Sequence, residues 1–250
     1  MAHEAHGKCW GVRELGEHLE LSPASAHRLL TALVENGLVE HSTTAGQYRL
    51  GSESFRLGLM LASHLDIRDV GTPVMAALVA QCNETAFLGM YDSMRMEVMF
   101  VGAVNSSHPL RYVVPLNEWF PVHAGASGLS IMAFLPKAEQ QRIVAIKGLA
   151  ALTPKTITEP DVLGKELTRV RSRGYAISVG HRNLGAVAIA APIFGTEGRV
   201  VGDLALSIPE PRFDRGTEKK LASLVMQHAN EITARLAGRA IRSNRRETLK

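Results

Sequence analysis

The apolar positions at the start of the chain recur at helical spacing. Val12, Leu15 and Leu19 share one face, and Leu21 precedes Ser22-Pro23, a capping residue followed by a proline suited to a first helical turn. In the helix that starts there, Ala26, Leu29, Leu30 and Leu33 form an apolar stripe. Gly37 stands where a helix C-terminus favours a left-handed residue, so the pattern predicts a helix from Pro23 to Asn36. At about 100° per residue, Ala24, His27, Arg28, Thr31 and Glu35 fall opposite the stripe, with Ser25 at its flank. Leu38 to His41 and Gln47 to Leu50, joined by the polar turn Ser42-Thr43-Thr44-Ala45-Gly46, read as a hairpin.

Two short helices and a ribbon of this kind are what a winged helix-turn-helix needs to enter a DNA groove. Small residues on the exposed face let the helix axis approach the duplex. Arg28 suits a guanine edge or a phosphate, and Ser22, Ala24, Ser25, His27 and Thr31 complete the groove-facing set. On the wing, Thr43, Thr44, Gln47 and Arg49 are candidates for the phosphate backbone or the minor groove.

The rest of the chain reads as a larger α+β unit. Glu53 to His64 is helix-prone and Gly71-Thr72-Pro73 predicts a break, so residues 53–72 are assigned to a linker helix. Val74 to Gln81 then reads as a helix, Thr85 to Tyr91, Glu97 to Val104 and Leu110 to Val114 as strands, and Trp119-Phe120 as part of a loop. Helices are expected over Gly125 to Leu135 and Glu139 to Ile146, and from a Thr158 cap to Gly174. Tyr175 to Val179, Ala186 to Phe194 and Val200 to Ile208 are strand candidates, the last two joined by a hairpin turn at Gly195-Thr196-Glu197-Gly198. Thr217 to Ala240 is the terminal helix, with Leu221, Leu224, Val225, Ile232 and Leu236 inward. An antiparallel sheet with helices beside it is an α+β layer architecture.

Composition narrows the function classes. The 250 residues, 46% apolar and 21% charged, describe an ordinary globular protein. Two cysteines, Cys9 and Cys82, cannot form a disulfide framework, and no apolar run reaches the roughly 20 residues of a spanning helix, so a cytoplasmic location without a membrane segment is expected. The net charge of +4 permits an anionic partner, but residues 1–52 are slightly acidic. The positive excess gathers late, in Arg235, Arg239, Arg242, Arg245, Arg246 and Lys250.

Enzyme chemistry finds little support. Ser127 follows Gly125, but Leu129 stands where a nucleophile elbow needs its second glycine, and His123 reads as a structural histidine at a strand end. His3, His6 and Cys9 are evenly spaced but lack the second cysteine pair of a zinc module, and are read as a solvated terminus. No metal, cofactor or catalytic residue is assigned.

The run "SPASAHRLLTALVENGLVEHSTTAGQYRLG" resembles the winged helix of the IclR family of bacterial transcription regulators, whose members carry a variant of S-x-S-T-x-x-R-L-L-x-x-L-x-x-x-G-L-V followed by Y-R-L-G. "PVHAGASGLSIMAFLP", "LTPKTITEPDVLGKELTRVRSRGYAIS" and "AIAAPIFGTEGRVVGDLALSIP" resemble, in order, the family's ligand-binding domain, so the likeness covers nearly all of Val12 to Arg239. The resemblance implies a winged helix-turn-helix over residues 1–52, and over 73–250 a GAF-like or PAS-like antiparallel-sheet domain that binds an effector and oligomerises. Family members carry a further helix in front, which "MAHEAHGKCW" does not supply. The expectation is a DNA-binding unit lacking its first helix, or a start that lies upstream.

The resemblance also implies the ligand and its site. The family's effector is commonly a small organic or aromatic acid, placed here at Gly125, Ala126 and Ser127, at Ser178, and on the final strands at Ala188, Ala205 and Ser207, with Met90, Met99, Trp119 and Phe120 as candidate walls. Helix-start amides favour an anion. After Arg173-Gly174-Tyr175 the family often has acidic residues, whereas this chain has Ser178, Val179, Gly180, His181 and Arg182; Val187, Ala188 and Ala205 replace polar residues elsewhere. The site is therefore expected to be less polar and roomier, and its ligand more apolar than a short keto acid. A homodimer or tetramer on operator DNA is the implied assembly. The alternative is a small-molecule sensor with impaired DNA binding that acts through protein contacts.

Overall fold

The computed structural model describes residues 9–44, 46–63, 66–195 and 198–247, with side chains omitted for 58–63, 66 and 239–247. His3 and His6 lie outside these residues, as does part of the turn expected at 195–198. The chain divides into two compact units, Met1–Leu65 and Asp66–Lys250.

In the first unit the order is β1 (Trp10–Gly11), α1 (Val12–His18), α2 (Pro23–Glu35), β2 (Val39–His41), β3 (Gln47–Leu50) and α3 (Ser52–Ser63). Ser22 caps α2: its side chain accepts a hydrogen bond from the Ser25 amide at 3.2 Å, and Pro23 opens the helix. Gly37 adopts φ 68°, the left-handed conformation expected after the helix. Ala26 and Leu30 are buried with Tyr48 of the wing, but Leu29, expected in the stripe, is 43% exposed. It lies at the margin of the arc covered by α1 and the ribbon, so the buried stripe is narrower than the spacing suggested. Strand β1 was not expected; it pairs Trp10 with Tyr48 and makes the ribbon three-stranded, in the order β1-β3-β2.

The second unit opens with α4 (Asp66–Cys82), which runs through Gly71-Thr72-Pro73 where a break was expected. Pro73 removes one rung of the helix, while the Thr72 hydroxyl donates to the Arg68 carbonyl at 2.8 Å. Gly71 serves packing, because a Cβ there would come within 2.6 Å of Leu88 Cδ2. The chain continues through β4 (Thr85–Asp92), β5 (Glu97–Val104), β6 (Trp119–Pro121), α5 (Gly125–Met132), α6 (Lys137–Lys147), α7 (Pro160–Arg173), β7 (Ala176–Val179), β8 (Ala186–Phe194), β9 (Val200–Pro209), two 3-10 turns and α8 (Glu218–Glu247).

These strands form one antiparallel sheet in the order β6-β5-β4-β9-β8-β7. One face packs on α4 and α8 through Val70, Val74, Leu78, Val225 and Ile232; the other packs on α5 and α7 through Leu129, Ile131, Leu163, Leu167 and Val170. Residues 110–114 are not a strand. The free edge of β5 is taken instead by Trp119–Pro121, expected in a loop, and Leu110 and Val113 are 64% and 78% exposed. Helix α5 stops at Met132 rather than Leu135, and α8 extends past Ala240. The N-cap of α7 is Glu159, without a side-chain cap bond, and Pro160 in the first turn sets the start in place of Thr158.

Helix α5 lies so close to the strand before it that a Cβ at Gly128 would stand 2.3 Å from the Val122 carbonyl oxygen, whereas a Cβ at Gly164 in α7 would meet nothing within 4 Å. Gly128→Ala should therefore lower the stability of this unit by about 1–3 kcal/mol. Gly164→Ala should raise it by about 0.5–1 kcal/mol by stiffening the unfolded chain. Urea unfolding of both variants reads the two opposite signs.

Candidate nucleic-acid interface and ligand pocket

On the first unit, Ser22 at the start of α2 is exposed, as are Ala24, His27, Arg28 and Thr31 along the helix, and Ser25 is half-buried. Part of this face is internally organised. The Ser22 hydroxyl donates to Ser25 Oγ at 2.9 Å, and Arg28 Nη2 reaches the same oxygen at 3.5 Å. Thr31 Oγ1 donates to the His27 carbonyl at 2.9 Å, which turns its methyl outward. On the wing, Thr43 and Thr44 are exposed and Gln47 is half-buried, while Arg49 forms an exposed ion pair with Glu40 at 2.7 Å.

On the second unit, the start of α5, the loop after β7 and the inner strands enclose a concavity of about 480 Å³, counting its open mouth. Gly125 adopts φ 87°, which a residue with a Cβ would strain, and this turn aims the first amides of α5 into the space. The Ala126 amide donates to Ser178 Oγ at 2.9 Å. The Gly125 and Ser127 amides, in the first turn, have no acceptor within the helix. The floor is Ala188 on β8 and Ala205 and Ser207 on β9, and Phe87 and Phe100 form one wall with ring centroids 5.6 Å apart. The loop bearing His181 and Arg182 is pinned by Thr153 and Thr156, whose hydroxyls donate to the Gly180 and His181 carbonyls at 2.6 Å each.

Arg182 brings a positive charge to this wall. Its guanidinium lies 4.9 Å from the Phe100 ring centroid and 4.7 Å from that of Phe120, over both faces. Burial lowers its pKa and the nearby Asp203 carboxylate raises it, and the group stays cationic. Burial also lowers the pKa of His181, against Glu166 and with Lys155, and its Nδ1 has no hydrogen-bond partner. Asp203 is fully buried. Burial pushes its carboxyl up to about 7 against the opposing pull of the Ser127 hydroxyl and the Arg182 charge, and neither oxygen has a partner with hydrogen-bond geometry.

Comparison with known proteins decides what these two surfaces belong to. Residues 60–234 match the family model described as bacterial transcriptional regulator IclR C-terminal, and residues 4–42 match the IclR helix-turn-helix domain. The chain belongs to the IclR family. It is 25% identical over 227 residues to the transcriptional repressor IclR of Escherichia coli K12, covering 91% of this chain and 83% of that one. It is 30% identical over 237 residues to an HTH-type transcriptional regulator of Mycobacterium tuberculosis, covering 92% and 86%. The crystal structure of Thermotoga maritima IclR superposes with a TM-score of 0.70 at 26% identity and 92% coverage of both chains. That of an IclR homologue from Microbacterium hydrocarbonoxydans complexed with 4-hydroxybenzoate superposes with a TM-score of 0.78 at 24% identity, again with 92% of both chains covered. The protein is thus a DNA-binding transcription regulator with the IclR-type α+β fold, and its relatives are regulators rather than enzymes. No described helix is long and apolar enough to cross a membrane.

Within this IclR-type unit, Gly125, Ala126, Ser127, Ser178, Ala188, Ala205 and Ser207 line one concavity. Met90 and Trp119 do not. Met90 and Met99 pack with the α4 and α8 side of the sheet, and Trp119, paired with Met99, stacks on Arg95 at 5.0 Å. Their neighbours one position along, Phe100 and Phe120, face α5 instead, because strand side chains alternate between faces. The expectation of a less polar site also fails: Arg182 enters the wall and Asp203 lies beside it. Arg182 was visible as a departure from the family pattern, and Asp203 as the one charged residue in "VVGDLALSIP", but nothing local told which face either would take. His123 is buried and shares a hydrogen bond with the Ala150 carbonyl at 2.9 Å, a structural role.

The raised Asp203 pKa fixes the sign of a pH effect. In the unfolded chain this carboxyl releases its proton near pH 4, while in the folded chain it holds it to about 7. Over that window the folded state binds the extra proton, so the contribution to stability is full below pH 4 and is lost as pH rises through 7, on the order of 4 kcal/mol in all. Asp203→Asn should therefore gain stability relative to the parent between pH 5 and pH 8 in urea unfolding. Parallel pH profiles for the two proteins would show that the carboxyl ionises normally.

Proposed function

We propose that this regulator reads operator DNA through the outer face of α2 and the β2-β3 wing, and that a small organic acid held in the α5 pocket sets its DNA affinity. The observation that carries the proposal is the convergence, on one concavity, of helix-start amides and a stacked arginine with two phenylalanine rings. Amide donors and a guanidinium suit a carboxylate, and the rings suit an aromatic or cyclic body. The 4-hydroxybenzoate held by the Microbacterium regulator is an acid of this kind on the same fold. An effector shifts the regulator only if it binds the DNA-competent and incompetent arrangements unequally.

For the DNA surface we assign Ser22, Ala24, Ser25, His27, Arg28 and Thr31 to the groove and Thr43, Thr44, Gln47 and Arg49 to the backbone. Among the described residues Arg28 makes one long contact, to Ser25, so it is available for a base edge. Arg49 is paired with Glu40, but an exposed pair of this kind is worth about 0–1 kcal/mol, and a phosphate can displace the glutamate. A homodimer or tetramer would present paired helices to half-sites one helical turn apart. The cytoplasm is the assigned setting.

Arg28→Ala should weaken binding to the protein's own upstream DNA by about 1–3 kcal/mol, roughly 10- to 100-fold, with unchanged circular dichroism. Gel-shift titration measures it, and an unaltered affinity would remove α2 from the interface. For the pocket, calorimetry should register benzoate-sized acids in preference to pyruvate or glyoxylate. The reverse order would refute the aromatic-acid assignment.

A further inference from the structure

Asp203 stands behind the ligand concavity without opening into it. On β9, Leu204 and Leu206 pack toward α8, and the alternation of strand side chains sends Asp203 to the other side with Ala205 and Ser207. Its carboxyl has no solvent exposure, and neither oxygen has a hydrogen-bond partner. Bare backbone seats it, since a Cβ at Gly89 would fall 2.0 Å from its Oδ1. Ser127 is the side chain in between: it lines the concavity and is the polar neighbour of the carboxyl. A charge held so far from water is unfavourable, so this carboxyl ionises only with help from its surroundings.

That help is scarce and comes from the pocket side. The register places Gly89 of β4 and Pro192 of β8 opposite Asp203, and Val98 of β5 lies beside Gly89; none of the three titrates. Tyr91, farther along β4, donates instead to Glu139 of α6. From α5 comes the Ser127 hydroxyl, and from the loop after β7 the Arg182 guanidinium, the one charge among the described residues that acts on Asp203. His181, next to Arg182, feels Glu166 and Lys155 rather than Asp203. Arg182 also lines the concavity, where a bound acid competes for it. One cation thus serves two carboxylates, that of Asp203 and that of the ligand.

We infer that Asp203 takes up a proton when an acid enters the concavity, so that occupancy of the effector site is linked to pH. The inference rests on the assignment of this concavity to an acidic effector, and adds the regulation of that site. An incoming carboxylate neutralises Arg182 and places a second negative charge across Ser127, and both changes favour the protonated form of Asp203. The free protein is poised for the exchange, because burial pushes the carboxyl up to about 7. At lower pH, Asp203 is protonated before the ligand arrives and does not oppose it. At higher pH, either a proton is drawn from the solvent onto the carboxyl or two anions share one cation, and affinity for the acid falls as pH rises.

The test titrates benzoate calorimetrically into the full-length protein from about pH 5.5 to about pH 8.5, a range in which benzoate is always an anion. Pyruvate, likewise ionised, replaces it if benzoate does not bind. At about pH 7.5 the titration is repeated in PIPES and in Tris, whose ionisation enthalpies differ, and the difference in heat counts the protons taken up. The parent protein should take up about half a proton or more per acid bound there, and its affinity should fall about 10-fold across the range. Asp203→Asn imitates the protonated carboxyl, so it should take up no proton and its affinity should vary by less than about threefold. Uptake or a pH slope that survives in Asp203→Asn belongs to another group of the wall, His181 foremost, and overturns the role of Asp203 while leaving the acid site standing. Zero uptake, proton release or a flat affinity profile in the parent protein overturns it equally, and that result holds even if Asp203→Asn does not fold. Failure of both acids to bind at any pH overturns the acid-site reading together with the inference.

Discussion

Strand β9 is buried on both faces, and that constraint decides which side chains can meet a ligand. It lies between β4 and β8 in the centre of the sheet, so every second residue goes to α8 and every other to α5. Leu204 and Leu206 fill the first side. On the second, Ala205 and Ser207 are small, as is Ala188 opposite Ser207 on β8, and their shared smallness leaves space beneath the start of α5. The helix can use that space because Gly125 and Gly128 let its first turn bend and approach where a Cβ would be strained or would collide.

The same layering sets the electrostatics. The amides at the start of α5 and the Arg182 guanidinium both present positive potential to one half-enclosed volume, and like potentials in a poorly solvated space repel. An anion placed between them relieves that repulsion, which favours an acid over a neutral or cationic ligand of equal shape. The aromatic rings under Arg182 offset part of its desolvation through their π faces and also hold the side chain flat, so that its donors stay directed along the wall. Asp203 is close enough to feel this charge but closes no ion pair with it among the described residues.

How far the sequence foretold this follows from how local each signal was. The Ser22-Pro23 cap, Gly37 and the polar turn of the wing specify their elements within a few residues, and α2 and the β2-β3 ribbon appear at the expected places. Strand β1 carries no such signal, because two residues become a strand only when Tyr48 and Gln47 lie alongside. Pro73 suggested a break that packing of Gly71 on Leu88 overrode. In the central sheet, both faces are covered, so the strands read as continuous apolar runs whose phase is silent. That silence put Met90 and Trp119 in the pocket when Phe87 and Phe100 line it, and it hid the side taken by Asp203. The glycines and small residues around α5 were legible through family likeness; the Arg182 charge that enters their space was not, because it departs from that likeness.

The proposed DNA surface poses a different balance. Residues 1–52 contain four Lys and Arg residues against six Glu residues, so neutralising phosphates can supply only a modest part of any affinity. Of those cations, Arg28 and Arg49 lie on the face assigned to the duplex, and Arg49 must first leave Glu40. Sequence-independent attraction from one such unit is therefore weak, and discrimination depends on how closely α2 fits the major groove. Its exposed side is built for closeness, with Ala24 and a serine pair folded onto one another in place of long side chains. A unit of this type gains most from being paired, since a second copy on the neighbouring half-site turns two weak contacts into one intramolecularly assisted contact. Control by a ligand then needs only a small effect, because any change that prevents both copies from engaging at once removes far more affinity than either copy contributes alone.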